Sequence, residues 1–298
     1  MQSLEGVLPI VPTPFNVSGA PDHESLRRVA GHAVRAGSVA LVYPGVASED
    51  LYLTAEESSA CLDVVIDAVA GRRPVIAGVN AADPEDMVSL ARRVAGQGAE
   101  GIMAMAVPAM RDDLSGWFAR IEEAAGGRPI ILQNLFAPRG ADLSADEMIA
   151  LSRAIPAIRY VKEEGIPSGP KVSELAKACG PDLDAVIGGG GARYLIEELD
   201  RGAVATMPAI ELLDLHVALM AAYKAGRRSE ALSLYERSLP LLLIQAPYRM
   251  RLTKLILKHR GLIETDLVRE PLPEMDDVLQ RLVLELYERA TAEETVVA

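Results

Sequence analysis

Short apolar runs alternate with amphipathic segments from the N-terminus to about residue 210. The runs begin near Val7, Val39, Val75, Ile102, Ile130, Ile158, Ala185 and Ala203. Between them the apolar residues keep a helical period. Leu26, Val29, Ala30, Ala33 and Val34 fall at i, i+3, i+4, i+7 and i+8, and Met87, Leu90, Ala91, Val94 and Ala95 repeat that spacing. Such positions make one face of a helix. Eight strand-like runs with a helix between each pair are the pattern of repeated βα units, which form a parallel sheet with right-handed crossovers. Eight units predict a closed (β/α)8 TIM barrel, where five or six would give an open doubly wound sheet.

Helix boundaries support this division. Thr54-Ala55-Glu56-Glu57 and Ser144-Ala145-Asp146-Glu147 read as capping boxes, and Asp83-Pro84 puts a cap before a first-turn proline. Gly37, Gly71, Gly98, Gly180 and Gly202 stand just before the next run, where helices end. Beyond residue 210 only helical patterns remain, at about 213–225, 228–246, 247–260 and 275–292. The expected division is a barrel over 1–225 and a C-terminal helical bundle, 226–298, packed on it without a linker.

Composition narrows the function. With 42 acidic and 30 basic residues, the net charge of −12 argues against a nucleic-acid partner. No apolar run approaches the ~20 residues of a membrane span, and the N-terminus has no basic segment followed by an apolar signal core. Cys61 and Cys179 sit far apart on predicted helices, as thiols of a reducing cytoplasm do. His23, His32, His216 and His259 make no metal-ligand spacing, so no metal and no cofactor are expected. Lysine is scarce: six residues against 24 arginines, none before position 162.

In a barrel the site lies where the strands end. The sixth run reads Ile158-Arg159-Tyr160-Val161-Lys162-Glu163-Glu164. Alternation puts Tyr160, Lys162 and Glu164 on one side and Val161 and Glu163 on the other. The other lysines all fall on predicted helices, so Lys162 is the sole strand lysine. Burial disfavours an ammonium, and the neutral amine attacks carbonyls to give a Schiff base. The second run ends in Gly45-Val46-Ala47-Ser48, a small-residue turn that can aim backbone amides at a carboxylate. The fifth ends in Gln133-Asn134. The seventh ends in a glycine run that includes Gly189, and Pro208 lies in the loop after the eighth.

Taken in order, these residues resemble the dihydrodipicolinate synthase and N-acetylneuraminate lyase family of class I pyruvate-type aldolases. The resemblance runs through Thr13-Pro14-Phe15, Gly45 to Glu49 and Leu53-Thr54-Ala55-Glu56. It continues through Pro74 to Val79, Val161-Lys162-Glu163 and Val268-Arg269-Glu270-Pro271-Leu272. It implies a lyase forming a Schiff base through Lys162, with a small 2-keto acid as its partner and a homotetramer or homodimer as its assembly.

Departures from the family pattern bear on the reaction. Val46 and Ala47 stand where the synthases carry two threonines, Gln133-Asn134 replaces Tyr-Asn, and Pro108-Ala109-Met110 replaces Pro-Tyr-Tyr. An amide cannot act as a general base near neutrality. In having a glutamine there and a glutamate two residues after the lysine, the chain is similar to the 2-keto-3-deoxy sugar acid dehydratases. That implies dehydration with Lys162, Glu164 and Gln133 as catalytic residues. Val46, Ala47, Ser48, Asn134, Gly189 and Pro208 would bind substrate. Retro-aldol cleavage to pyruvate, synthase-type condensation, and a barrel that only binds a carboxylate are the alternatives.

Overall fold

The computed structural model describes residues 4–180 and 182–292. Among them, helices and strands alternate as the pattern requires. They run α1 (His23–Arg35), β1 (Leu41–Val42), α2 (Ala55–Val69), β2 (Val75–Gly78), α3 (Pro84–Gln97) and β3 (Gly101–Met105). Next come α4 (Leu114–Ala124), β4 (Ile130–Asn134), α5 (Ala145–Ala154), β5 (Ile158–Glu163), α6 (Gly169–Lys177), β6 (Ala185–Gly188), α7 (Leu195–Asp200) and β7 (Ala205–Thr206). Helices α8 (Leu213–Lys224), α9 (Arg228–Tyr248), α10 (Met250–His259) and α11 (Asp277–Thr291) follow. The boundary residues act as read. Thr54 and Ser144 close reciprocal capping boxes with Glu57 and Glu147, Asp83 caps α3, and the five helix-ending glycines all have positive φ. Cys179 lies just past α6 rather than on it, and is only partly buried.

The strands form one curled parallel sheet in sequential order, with seven strands where eight were expected. The first apolar run fills the missing place without becoming a regular strand. Leu8 N donates to Thr206 O at 2.9 Å and Ile10 N to Pro208 O at 2.9 Å, while Val42 N donates to Pro9 O at 3.0 Å. The run thus touches both edges of the sheet. Pro9 and Pro12 lack the N–H that a continuous ladder needs, so the pairing breaks into isolated bridges.

Alternation along the strands sorts the core into two apolar clusters. Ala77, Ala104, Leu132, Val161 and Val186 pack outward against the helices. Ile76, Met103, Ile131, Tyr160 and Ile187 meet on the inner face, with Leu8 and Ile10. The C-terminal helices are tied to the strand ends through charge. Lys254 of α10 is fully buried and donates to Glu49 and to Leu267 O, while Arg269 binds both oxygens of Glu57 at 2.7 Å. Among the described residues Lys162 is the sole strand lysine, but Lys254 is buried as well. A helical pattern could not show that Lys254 meets a carboxylate 205 residues away.

Candidate active site

Parallel register decides which strand-end residues face each other. Gln133 of β4 pairs with Lys162 of β5, and Asn134 with Glu163. Gln133 and Lys162 continue the inner face above Ile131 and Tyr160. Asn134 and Glu163 point to the opposite side.

On the inner side, Lys162 is 2% exposed and its Nζ lies 3.0 Å from Glu164 Oε2. The Gln133 amide donates to the same oxygen at 2.6 Å, and Gly190 N reaches the other at 3.4 Å. Burial pushes the Glu164 carboxyl up. The Lys162 charge and the Gln133 hydrogen bond outweigh it and hold the group below the ordinary carboxylate range. Glu164 is therefore ionised at neutral pH. Asn80, two residues past β2, donates to Gln133 Oε1 at 2.9 Å and accepts from Met105 N at 2.8 Å.

Lys162, Glu164, Gln133 and Gly190 open onto a cavity of about 360 Å³, whose lining also includes Val46, Ala47, Met207 and Ala209, with Asn80 behind Gln133. Its size lies at the lower end of ligand-sized sites. Val46 and Ala47 begin a single 3₁₀ turn, Val46–Ser48, so their amides have no acceptor within it.

Four residues expected to bind substrate do not line the cavity. Ser48 is buried beneath the turn: its N–H binds Gly45 O at 2.7 Å and its Oγ donates to Val11 O. Asn134, on the outer side, donates to Glu163 Oε2 at 2.8 Å and accepts from Leu143 N at 2.8 Å, which anchors the loop after β4. Pro208 offers its carbonyl to Ile10, while its neighbours Met207 and Ala209 face the cavity. Gly189 makes room: a Cβ there would sit 2.2 Å from Glu164 Cγ. Its neighbours Gly190 and Gly191 reach the lining.

The sequence reading missed Asn80, Arg139, Arg193 and Arg249. Asn80 had a signal, being the first polar residue after the third apolar run. Arg249 had none, because it stands at the α9–α10 junction, where only tertiary packing brings it to the cavity. Among the described residues no tyrosine lines the cavity. Tyr43 is buried elsewhere, with its hydroxyl 3.0 Å from Thr13 Oγ1. Among the described residues no cluster of three potential metal ligands exists, and no helix is long and apolar enough to cross a membrane.

The model of the dihydrodipicolinate synthetase family matches residues 3–288. The chain belongs to that family. It is similar to the L-2-keto-3-deoxyarabonate dehydratase of Azospirillum brasilense, 28% identical over 279 residues, with 91% of this chain and 89% of that protein covered. It is also 30% identical to the 4-hydroxy-tetrahydrodipicolinate synthase of Synechococcus sp. (strain CC9311) over 239 residues, covering 77% and 76%. The dihydrodipicolinate synthase structure from Rhodopseudomonas palustris superposes with a TM-score of 0.88 at 26% identity, covering 96% of this chain and 97% of that one. Members of the dihydrodipicolinate synthetase family are lyases and aldolases, and this chain is an enzyme of that type.

Proposed function

We propose that this member of the family is a Schiff-base-forming dehydratase of 2-keto-3-deoxy sugar acids, built on a (β/α)8 barrel that the residue 7–10 segment completes. The observation that supports it most is the buried Lys162–Glu164 contact, 3.0 Å long, with Gln133 beside it and, among the described residues, no tyrosine in the cavity lining. The amides of Val46 and Ala47 receive the substrate carboxylate and set its C2 carbonyl against Lys162. The amine adds to C2 and loses water, giving an iminium that acidifies the C3 hydrogens. Glu164, ionised beside it, takes one C3 proton and leaves an enamine. The enamine expels the C4 hydroxyl, which accepts that proton and departs as water. A second water then hydrolyses the conjugated iminium and frees Lys162. One water is released on imine formation and one is consumed on hydrolysis, so the net change is loss of one water.

Retro-aldol cleavage shares every step to the iminium but needs a base on the C4 hydroxyl. Gln133, an amide, cannot supply it. The 28% identity to a keto-deoxy sugar acid dehydratase across most of both chains supports the same choice. The test is product analysis with a 2-keto-3-deoxy sugar acid. Dehydration gives a product lighter by one water and no pyruvate detectable with lactate dehydrogenase. Stoichiometric pyruvate would overturn the dehydratase reading.

A further inference from the structure

The Val46–Ser48 turn, which lines one side of the cavity, is held from behind at two points. It closes on itself through Ser48 N to Gly45 O at 2.7 Å and Glu49 N to Val46 O at 3.2 Å. Thr13 Oγ1 donates to Ser48 O at 2.7 Å and ties the turn to the N-terminal run. The next residue, Glu49, ties it to the C-terminal part of the chain. One oxygen of its carboxylate accepts from Lys254 Nζ. The other accepts from the backbone N–H groups of Arg269 and Glu270, at 2.7 and 2.8 Å.

The Glu49 and Lys254 side chains are both fully buried, and neither residue lines the cavity. Burial lowers the Lys254 pKa to about 8 against the opposing effect of Glu49, so the amine is still charged at neutral pH. Lys254 also donates to Leu267 O at 2.8 Å and stands 4.1 Å from the centre of the Phe15 ring. A buried ion pair is a poor source of stability, because desolvating two charges offsets most of their attraction. What a fully hydrogen-bonded pair does supply is a fixed geometry. Glu49 also has a left-handed backbone, with φ of 59° and ψ of 40°. A glycine would make that bend with less strain, so the bend alone does not account for a glutamate here.

We propose that Glu49, gripped by Lys254, is a positioning residue that keeps the Val46 and Ala47 amides aimed at the substrate carboxylate. Lys254 and the segment 267–270 then set the affinity for 2-keto acids from outside the cavity. This rests on the proposed function only where that assigns the 2-keto carboxylate to those two amides.

The experiment measures borohydride trapping of Lys162 with pyruvate and with pyruvamide, which present the same ketone with and without a carboxylate. Wild type should trap pyruvate about tenfold or more efficiently, because charge-assisted hydrogen bonds to backbone amides are lost with the carboxylate. Lys254→Met should cut that pyruvate-to-pyruvamide ratio severalfold and leave pyruvamide trapping nearly unchanged. A merely structural role would lower both probes alike and leave the ratio where it was, which would overturn the inference. Lys254→Met leaves Glu49 without its partner charge. Lys254→Met combined with Glu49→Gln removes both charges, so it is the variant expected to fold, and it should show the same reduced ratio. The unaltered enzyme gives an independent answer through hydrogen exchange. Saturating pyruvate should slow exchange at the Arg269 and Glu270 amides as well as over 46–49, because both sites share the Glu49 carboxylate. Protection that stops at Glu49 would overturn the inference. If wild type traps the two probes equally, or traps neither, the reading of the site itself fails and takes this inference with it.

Discussion

Asn80 donates to Gln133 Oε1 at 2.9 Å, and that bond decides which end of the Gln133 amide meets Glu164. With its oxygen occupied, Gln133 must present its NH2 to the carboxylate, 2.6 Å away. Asn80 is itself fixed by Met105 N. A chain of three residues from three strand ends thus adds to the Lys162 charge in keeping Glu164 ionised. Asn80→Ala should lower kcat about tenfold with KM less affected. Because a donor to the carboxylate is weakened, the Glu164 pKa should rise, and the acid limb of the kcat–pH profile should move to higher pH. An unmoved limb would show that Asn80 serves only as a loop anchor.

Glu164→Gln tests proton transfer apart from imine formation. Glu164 is the only carboxylate among the described residues that line the cavity. Its removal should cost about 10²- to 10⁴-fold in dehydration, the usual range for losing a general base. Lys162 should still be trapped by borohydride with a 2-keto acid. Retention of near-normal turnover would assign the proton transfer elsewhere.

Gly189→Ala tests the seat of Glu164. The added methyl would lie 2.2 Å from Glu164 Cγ and 2.9 Å from its Cδ, so the side chain must leave its place beside Gln133. We expect kcat/KM to fall at least about tenfold with the far-ultraviolet circular dichroism spectrum unchanged. Full activity would mean that the Gln133–Glu164 contact is dispensable.

Glu198, on α7, gives a pH-dependent stability effect. It is 1% exposed, accepts from Ser168 Oγ at 2.8 Å, and leaves its second oxygen without a partner. Burial pushes its carboxyl up to about 7. Below the ordinary carboxylate pKa the group is protonated whether the chain is folded or not, and it costs nothing. As pH rises toward 7 the unfolded chain ionises first, so the folded state loses stability until the cost is complete near pH 8. The shift corresponds to about 3 kcal/mol. Glu198→Gln should therefore be more stable than wild type in urea titrations at pH 8, with the difference vanishing near pH 4. Equal stability at both pH values would contradict the buried-acid description.

The period of the apolar runs, their caps and their order were legible because each is local. Lys162 was legible for the same reason: strand alternation and lysine scarcity single it out before any contact is known. Asn134 shows alternation applied too loosely. Adjacent strand residues cannot both face inward, and once Gln133 faces Lys162, Asn134 must face the helices. The seven-strand count was hidden by the prolines at 9 and 12, which keep an apolar run in position while denying it a ladder. Arg249 and the Lys254–Glu49 pair were out of reach, because the C-terminal helices meet the strand ends only through contacts more than 200 residues apart in some cases.

The most direct test is borohydride reduction of the enzyme in the presence of a 2-keto-3-deoxy sugar acid, followed by peptide mass spectrometry. Lys162 is buried at the base of the cavity beside an ionised carboxylate, so the expected adduct is a secondary amine on the Lys162 peptide, absent in Lys162→Ala. A modified lysine at another position, or turnover that continues in Lys162→Ala with no adduct in wild type, would contradict a Schiff base at this site.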